Sequence, residues 1–290
     1  MNHPNSQLAH SIGMFDSGVG GLSVLRAIRA LMPEEPILYL ADQENVPYGS
    51  RSLEQVRKFS VAITNFLIAQ GAKLIIVACN TASAAALNHL RAIFPKMLFV
   101  GMEPAVKPAA GHTQSGLVGV LATPATFQGE LYASVIERYS GDVEVLQHTC
   151  PGLVDQIEKG NLVGDQTRKI LEDALGPMLD RGIDTVVLGC THYPFVIPLI
   201  EEIVGDSVRV IDPAWAVAKQ TKRLLEPIEV TNLKRKNISH RYFTSGDIKS
   251  FKSSLKKLRV WNASIEKIVW ESKSQLKIES RENKPVRNQS

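Results

Sequence analysis

The sequence predicts an α/β protein of two pseudosymmetric domains, each a mainly parallel sheet flanked by helices. Short apolar runs rich in β-branched residues alternate with longer amphipathic stretches, which is typical of strand–helix–strand units. The runs are apolar throughout rather than at every second position, which indicates strands buried on both faces. Two passages, 71–84 and 182–195, each begin with glycine and carry a cysteine eight positions later. They indicate two copies of one unit.

The apolar runs are interpreted as strands because they are short, β-branched and bounded by glycine, proline or polar residues. The stretches between them carry apolar residues at helical spacing, as in "LEQVRKFSVAITNFLIAQ". The predicted strands cover 11–16, 36–41, 73–78 and 97–102 in the first copy, and 116–122, 143–149, 184–189 and 208–212 in the second. The predicted helices include 22–32, 53–70 and 167–181.

The chain changes character after the second copy. Helices are predicted at 212–225 and 248–258, and strands at 241–247 and 265–271. Because the first copy is otherwise short of strands, this segment is expected to pack back on it. The predicted first domain is therefore 1–103 plus 212–271, and the second is 104–211. Residues 272–290 are polar and charged with little to bury, which predicts a disordered basic tail.

Composition favours an ordinary globular protein, with 44% hydrophobic and 21% charged residues. No apolar run is long enough to span a membrane, and the first residues lack the layout of a signal peptide. Three widely spaced cysteines favour reduced thiols in the cytoplasm over a disulfide framework. Basic residues concentrate after Val230, but they show no repeat and no nucleic-acid motif. A solvated surface explains them better than a nucleic-acid partner.

Cys79 and Cys190 follow equivalent predicted strands and precede hydroxyl-bearing residues. A thiol between a strand and a helix start lies where backbone N–H groups favour its thiolate. A single such cysteine is more often a small buried hydrophobe, and Cys150, which precedes Pro151, is interpreted in that way. Two equivalent cysteines instead indicate a paired role.

Several chemistries that use cysteine fit the pair poorly. Thiol–disulfide exchange normally uses a C-x-x-C motif, which is absent, and a zinc site needs more ligands, so no metal is expected. A cysteine hydrolase leaves the second thiol unexplained. Inversion of a carbon centre needs a base on one face and an acid on the other, and so uses both. No P-loop, G-x-S-x-G or pyridoxal-phosphate lysine motif is present, which favours chemistry without a cofactor.

Other polar segments fit a small-molecule site. In "FDSGVGGLS", Asp16 and Ser17 end a predicted strand, and glycines then lead into a helix. Such a turn can form an anion pocket for a carboxylate or phosphate. Tyr48, in the turn after the second strand, could cover a small ligand. His192 lies two residues from Cys190 and could tune it.

Five motifs in order, "FDSGVGG", "VPYG", "ACNTASA", "GCTHYP" and "YFTSGD", resemble the glutamate racemases of the aspartate/glutamate racemase family. The resemblance extends from about Ile12 to Trp270. It implies an enzyme without cofactor that interconverts L- and D-glutamate for bacterial peptidoglycan, with its site in the cleft between two α/β domains. Relatives acting on aspartate resemble "GCTE" where this chain has "GCTH". An aspartate racemase and a non-catalytic amino-acid-binding regulatory module remain the alternatives.

The resemblance also implies roles for individual residues. Cys79 would act on the α-proton of D-glutamate with help from Asp16. Cys190 would act on that of L-glutamate with help from His192 and, in a less sharply marked segment, Glu158. The substrate contacts implied are Asp16, Ser17, Tyr48, Gly49, Asn80, Thr81, Thr191 and His192, with Thr123 and Thr126 as secondary contacts. The expected partner is the small-molecule substrate, and no association with a membrane is expected. A homodimer is a weaker expectation.

Overall fold

A computed structural model of the chain describes residues 11–139, 141, 143–227, 238–257, 263–272 and 274–279. The predicted α/β class is confirmed, because the strands form two mainly parallel sheets with helices between most successive strands. Predicted strands and helices up to residue 225 agree with the structure to within two residues at each end. In the part of the chain that the structure describes, no helix combines the length and apolar character needed to cross a membrane.

The first repeat contains four parallel strands in the spatial order β2-β1-β3-β4. Helix α2 begins with a capping box, in which Ser52 and Gln55 satisfy each other's backbone N–H groups. The elements are β1 (Ser11–Asp16), α1 (Leu22–Leu31), β2 (Ile37–Ala41), α2 (Leu53–Ala69), β3 (Ala72–Val77), α3 (Asn80–Ile93) and β4 (Leu98–Gly101).

The second repeat has the same strand order, β6-β5-β7-β8, and all its pairings are parallel. Its elements are α4 (Val106–Ala110), β5 (Leu117–Ala122), α5 (Pro124–Phe127), α6 (Glu130–Tyr139), β6 (Glu144–His148), α7 (Leu153–Glu158), α8 (Asp165–Asp180), β7 (Thr185–Gly189), α9 (Ile197–Val204) and β8 (Arg209–Ile211). Each strand therefore has a counterpart four places earlier in the chain, and β3 corresponds to β7.

The C-terminal segment extends the first sheet, in which β9 pairs with β2 and β10 with β9. Strand β9 ends at Thr244, three residues before its predicted end, because Ser245 and Gly246 begin the turn into α11. The segment comprises α10 (Ala214–Leu225), β9 (His240–Thr244), α11 (Ile248–Lys257), β10 (Ala263–Ser272) and β11 (Gln275–Ile278).

One expectation about the C-terminus is wrong. Strand β11 lies within 272–290, the segment predicted to be a disordered tail, and pairs antiparallel with β10. Its alternate residues Leu276 and Ile278 pack against the core on one face of the sheet. Two apolar residues among charged neighbours give too weak a signal in sequence, but an existing sheet edge supplies the hydrogen bonds. Residues 280–290 lie outside the described residues, and the proposed domain boundaries stay a prediction.

Both faces of the first sheet are covered by apolar side chains. In β3, Leu74 and Ile76 join the core on one face, and Ile75 and Val77 join the core on the other. With its faces buried, such a sheet receives ligands at the carboxyl ends of its strands, in the crevice where the strand order reverses. In the order β2-β1-β3-β4 that crevice lies between β1 and β3. Cys79 follows β3, and Cys190 follows β7 at the equivalent place.

We expect Ile268→Ala to destabilise the fold by about 2–5 kcal/mol, because Ile268 on β10 is 0% exposed and its removal leaves a cavity in the core. Urea unfolding followed by circular dichroism measures the change. Ile93→Ala is the matched control, since Ile93 is 43% exposed and its loss should cost less than about 1 kcal/mol. An equal effect of both variants would show that the C-terminal strands do not belong to the core.

Candidate active site

Cys79 caps the N-terminus of α3. It has extended backbone angles, and its sulfur accepts a hydrogen bond from the N–H of Ala82 at 3.4 Å. Burial raises the pKa of the Cys79 thiol well above its ordinary value, and the nearby charge of Asp16 raises it further. The N–H groups of Ala82 and Ser17 act in the opposite direction. The charge of Cys190 also raises the pKa of Cys79.

Cys190 heads a row of three side chains. Its sulfur lies 3.9 Å from Nδ1 of His192, and Nε2 of His192 lies 2.7 Å from Oε1 of Glu158. Burial alone would lower the pKa of His192, but its contacts with Cys190 and Glu158 outweigh burial and raise that pKa well above 6.5. The imidazole is therefore held in its charged form between the thiol and the carboxylate.

Glu158, at the end of α7, is the least sharply marked of the predicted residues, and the structure brings it to His192. Its Oε1 also accepts the backbone N–H of Val19 at 2.8 Å, so it reaches from the second repeat to the first. Burial raises the pKa of Glu158, but the hydrogen bonds from His192 and Val19 lower that pKa by more. The pKa of Glu158 therefore lies below its ordinary value. Glu158 is thus a charged partner for His192.

Asp16 joins the ends of β1 and β7. Its Oδ1 accepts hydrogen bonds from the N–H of Gly18 at 2.7 Å and the hydroxyl of Ser17 at 3.2 Å. Its Oδ2 accepts the hydroxyl of Thr191 at 2.7 Å. Burial raises the pKa of Asp16, whereas the charge of His192 and the donors Gly18 and Thr191 lower it, with a net rise. The two repeats therefore meet at their strand ends through a buried hydrogen bond.

The glycines of "FDSGVGG" allow this close approach. A Cβ atom on Gly20 would lie 2.5 Å from Nδ1 of His192 and 2.7 Å from the hydroxyl oxygen of Thr191. A side chain there would push His192 out of line with Cys190. Close packing therefore requires glycine in this turn, which the sequence did not reveal. The role of these glycines as an anion pocket stays a prediction.

Three threonines meet across the two repeats. The hydroxyl oxygen of Thr123 lies 2.9 Å from those of Thr81 and Thr126, and Thr81 and Thr126 are 3.3 Å apart. Next to Thr81, the side-chain amide of Asn80 is buried, and neither its nitrogen nor its oxygen has a partner. A buried amide without partners costs about 1–3 kcal/mol. Asn80 is therefore available to bind a polar ligand.

Tyr48, a predicted substrate contact, lies in the loop after β2. Its ring is fully buried against Phe59, and its hydroxyl donates to Oδ2 of Asp42 at 2.7 Å. The ring thus holds the loop after β2, and its contact with a substrate stays a prediction. Its neighbour Gly49 does reach the site, because a Cβ there would lie 2.7 Å from Cβ of Thr123. The "VPYG" motif identifies the loop, but the hydrogen bond to Asp42 sets the orientation of the Tyr48 side chain.

Cys150 is buried, as its interpretation as a structural residue requires. Burial raises the pKa of its thiol to about 12. It lines a cavity of about 340 Å³ together with Gly49, Thr123 and Tyr193.

Sequence reasoning missed Gln43, which lies in the loop after β2. Its amide nitrogen lies 3.4 Å from Oε2 of Glu158. A polar residue just beyond the carboxyl end of a parallel strand was the available signal. In the part of the chain that the structure describes, no group of three or more His, Cys, Asp or Glu side chains is arranged to hold a metal ion. That no cofactor takes part stays a prediction.

Residues 22–221 match the Asp/Glu/hydantoin racemase family. The chain belongs to this family. A glutamate racemase of Ectopseudomonas mendocina is 50% identical over 244 residues, which cover 84% of this chain and 92% of that protein. A glutamate racemase of Roseiflexus sp. is 53% identical over 222 residues, covering 77% and 82%. The resemblance seen in the sequence motifs is therefore confirmed.

Solved structures of this racemase family share the fold. The Escherichia coli glutamate racemase in complex with L-glutamate and the activator UDP-MurNAc-Ala has a TM-score of 0.79 at 32% identity, covering 90% of this chain and 98% of that one. The Francisella tularensis glutamate racemase in complex with D-glutamate has a TM-score of 0.78 at 31% identity, covering 90% and 97%. The two-repeat architecture is thus that of glutamate racemases.

The raised pKa of His192 predicts a pH-dependent stability. Because folding raises this pKa, the charged imidazole stabilises the folded state. The stabilisation is complete below the unfolded pKa of 6.5 and is lost as pH rises through the folded pKa. Glu158, with its lowered pKa, stays charged throughout that window. We expect the free energy of unfolding to fall as pH rises above about 6.5, and His192→Gln to flatten the slope. Urea unfolding at several pH values measures this change in the free energy of unfolding.

The control is His89→Gln, at an exposed site, which should keep the slope of the wild-type protein. A slope unchanged by His192→Gln would contradict the assignment.

Proposed function

We propose that this chain is a glutamate racemase that interconverts L- and D-glutamate by proton transfer between Cα and two thiols. The observation that carries the proposal is the pairing of Cys79 and Cys190 at equivalent strand ends of a repeated sheet. Each thiol has its own ionisable neighbours: Asp16 is near Cys79, and His192 with Glu158 is near Cys190. The relatives that are 50–53% identical over most of the chain are glutamate racemases, which supports glutamate as the substrate.

The reaction balances with two thiols alone. The thiolate of Cys190 takes the α-proton of L-glutamate, and the thiol of Cys79 gives a proton to the opposite face to form D-glutamate. Cys79 is then the thiolate and Cys190 the thiol, which is the starting state for the reverse reaction. No electrons leave or enter, and no co-reactant is consumed. A repeated architecture suits this task because it offers one acid–base group to each face.

The charges around the site assist the transfer. Burial and Asp16 disfavour the thiolate of Cys79, so an empty site keeps that thiol protonated. The α-ammonium of a bound amino acid brings a positive charge that offsets Asp16 and favours a nearby thiolate. On the other side, the charged imidazole of His192 offers the same compensation to the sulfur of Cys190. Both proton transfers can then occur inside a buried site.

Substrate recognition falls to neutral donors and acceptors. The unpartnered amide of Asn80 and the hydroxyls of Thr81, Thr123 and Thr126 can bind a carboxylate or ammonium group. We also assign Ser17, Thr191 and the backbone of Gly49 to the substrate. Tyr48 holds the loop that carries Gly49, and we assign it to the substrate as well.

The product suggests the biological context. D-glutamate is a building block of bacterial peptidoglycan, so the reaction would serve cell-wall biogenesis and cell shape. Because both thiols must stay reduced, we place the reaction in the cytoplasm. The three cysteines are free in the structure, which supports this. A homodimer stays a prediction.

We expect Cys79→Ser and Cys190→Ser each to lower kcat about 10²–10⁴-fold, because each removes the acid–base group of one face. Circular dichroism of the amino acid follows racemisation, and in D₂O the product of the wild-type enzyme should carry deuterium at Cα. Cys150→Ser is the control and should retain wild-type turnover. Turnover of either catalytic variant within about tenfold of wild type would contradict the role of that thiol.

We expect kcat/KM for glutamate to exceed that for aspartate by at least about tenfold, since one methylene in a fitted site is worth roughly 10–200-fold. Parallel assays with both amino acids measure the ratio. A preference for aspartate would change the substrate but keep the mechanism. Binding of glutamate without any α-proton exchange in D₂O would instead indicate a binding module without catalysis.

A further inference from the structure

The motif "YFTSGD" lies outside the acid–base groups proposed for the reaction. Its residue Thr244 is the last of β9, and it pairs in register with Ala41, the last residue of β2. The chain continues from Ala41 into Asp42 and Gln43. The end of β9 therefore lies beside the loop that carries Gln43, and Gln43 faces the second repeat.

Thr244 fixes the orientation of the Gln43 amide. The hydroxyl oxygen of Thr244 accepts the backbone N–H of Gly246 at 3.0 Å, and the hydroxyl donates to Oε1 of Gln43 at 2.8 Å. Because the oxygen of the amide is bound to Thr244, its NH₂ group turns the other way, toward Glu158. Gly246 provides the space that Gln43 occupies, because a Cβ atom at position 246 would lie 2.6 Å from Cβ of Gln43.

Gln43 in turn fixes the carboxylate of Glu158. Oε1 of Glu158 accepts two hydrogen bonds, from Val19 and His192, and Oε2 lies 3.4 Å from the amide nitrogen of Gln43. With donors on both oxygens, the carboxylate cannot rotate without losing one of them. Its orientation decides where Nε2 of His192 is held, and so where Nδ1 meets the sulfur of Cys190.

We propose that Gln43, oriented by Thr244, is a positioning residue that aligns the Glu158–His192 pair for proton transfer at Cys190. The inference rests on the proposed function and adds the C-terminal motif to the site. It predicts an effect on one face of the substrate only. The partners of Asp16, on the side of Cys79, are Ser17, Gly18 and Thr191, and Gln43 is not among them.

The test uses two substitutions in the full chain. Gln43→Leu removes the donor to Glu158, and Thr244→Val keeps the shape of the side chain but frees the amide of Gln43 to turn. We expect kcat to fall about tenfold or more in both variants, with KM within about threefold of wild type, because misalignment of an acid–base group affects the chemical step. Thr221→Val is the matched control. Thr221 is as fully buried as Thr244, but its hydroxyl donates to Val217 within its own helix, so turnover should not change.

Isotope effects separate positioning from general damage. If proton transfer at Cys190 becomes slower, the primary isotope effect on kcat should rise for 2-deuterated L-glutamate and fall or stay level for 2-deuterated D-glutamate. A loosened fold would move both effects alike. Equal rises for the two enantiomers, or unchanged isotope effects in both variants, would overturn the proposal. If Gln43→Leu does not fold, Gln43→Glu is used instead, since it keeps the size and sets a second carboxylate against Glu158.

A second measurement does not depend on turnover. The proton that His192 shares with Glu158 should give a downfield NMR signal in the free wild-type protein. We expect that signal to shift or broaden in Gln43→Leu and Thr244→Val but not in Thr221→Val. An unchanged signal in both variants would overturn the positioning role. If the wild-type protein failed to racemise glutamate, the proposed function would fall, and this signal alone would decide the role of Gln43.

Discussion

The hydrogen bond between Thr191 and Asp16 is the contact around which the site is built. Asp16 ends β1, beside the strand that leads to Cys79, and Thr191 directly follows Cys190. A buried carboxylate is costly unless donors surround it. The contact that satisfies Asp16 therefore also holds the two cysteine-bearing strand ends against each other. Chemistry that needs both faces of one carbon depends on this junction.

The junction also divides the charges between two thiols. Asp16 disfavours a negative charge on Cys79, whereas His192 brings a positive charge to Cys190, and Glu158 keeps that imidazole charged. Two chemically identical side chains thus occupy unlike surroundings within a repeated framework. Because burial removes water from both, the charges near each thiol affect its ionisation more strongly than they would in water.

Sequence reasoning succeeded where a signal is local and repeated. Apolar runs separated by helical periodicity gave the strands, and the two cysteine passages indicated the duplication that the strand orders β2-β1-β3-β4 and β6-β5-β7-β8 display. It failed where the cause lies elsewhere in the chain. Strand β11 forms because the edge of β10 is available, and Gln43 reaches Glu158 because the second repeat packs against its loop. Neither neighbour leaves a mark at the residue itself.

The sequence by itself determined the fold class, the family and the two cysteines proposed to react, because these depend on residue types at short and regular spacings. Only the tertiary structure decided which groups surround each thiol. Glu158 meets His192 across 34 positions, Thr191 meets Asp16 across 175, and Thr244 meets Gln43 across 201. Such hydrogen bonds arise from the packing of one repeat and the returning strands on another. They depend on distances in space, which spacing along the chain does not encode.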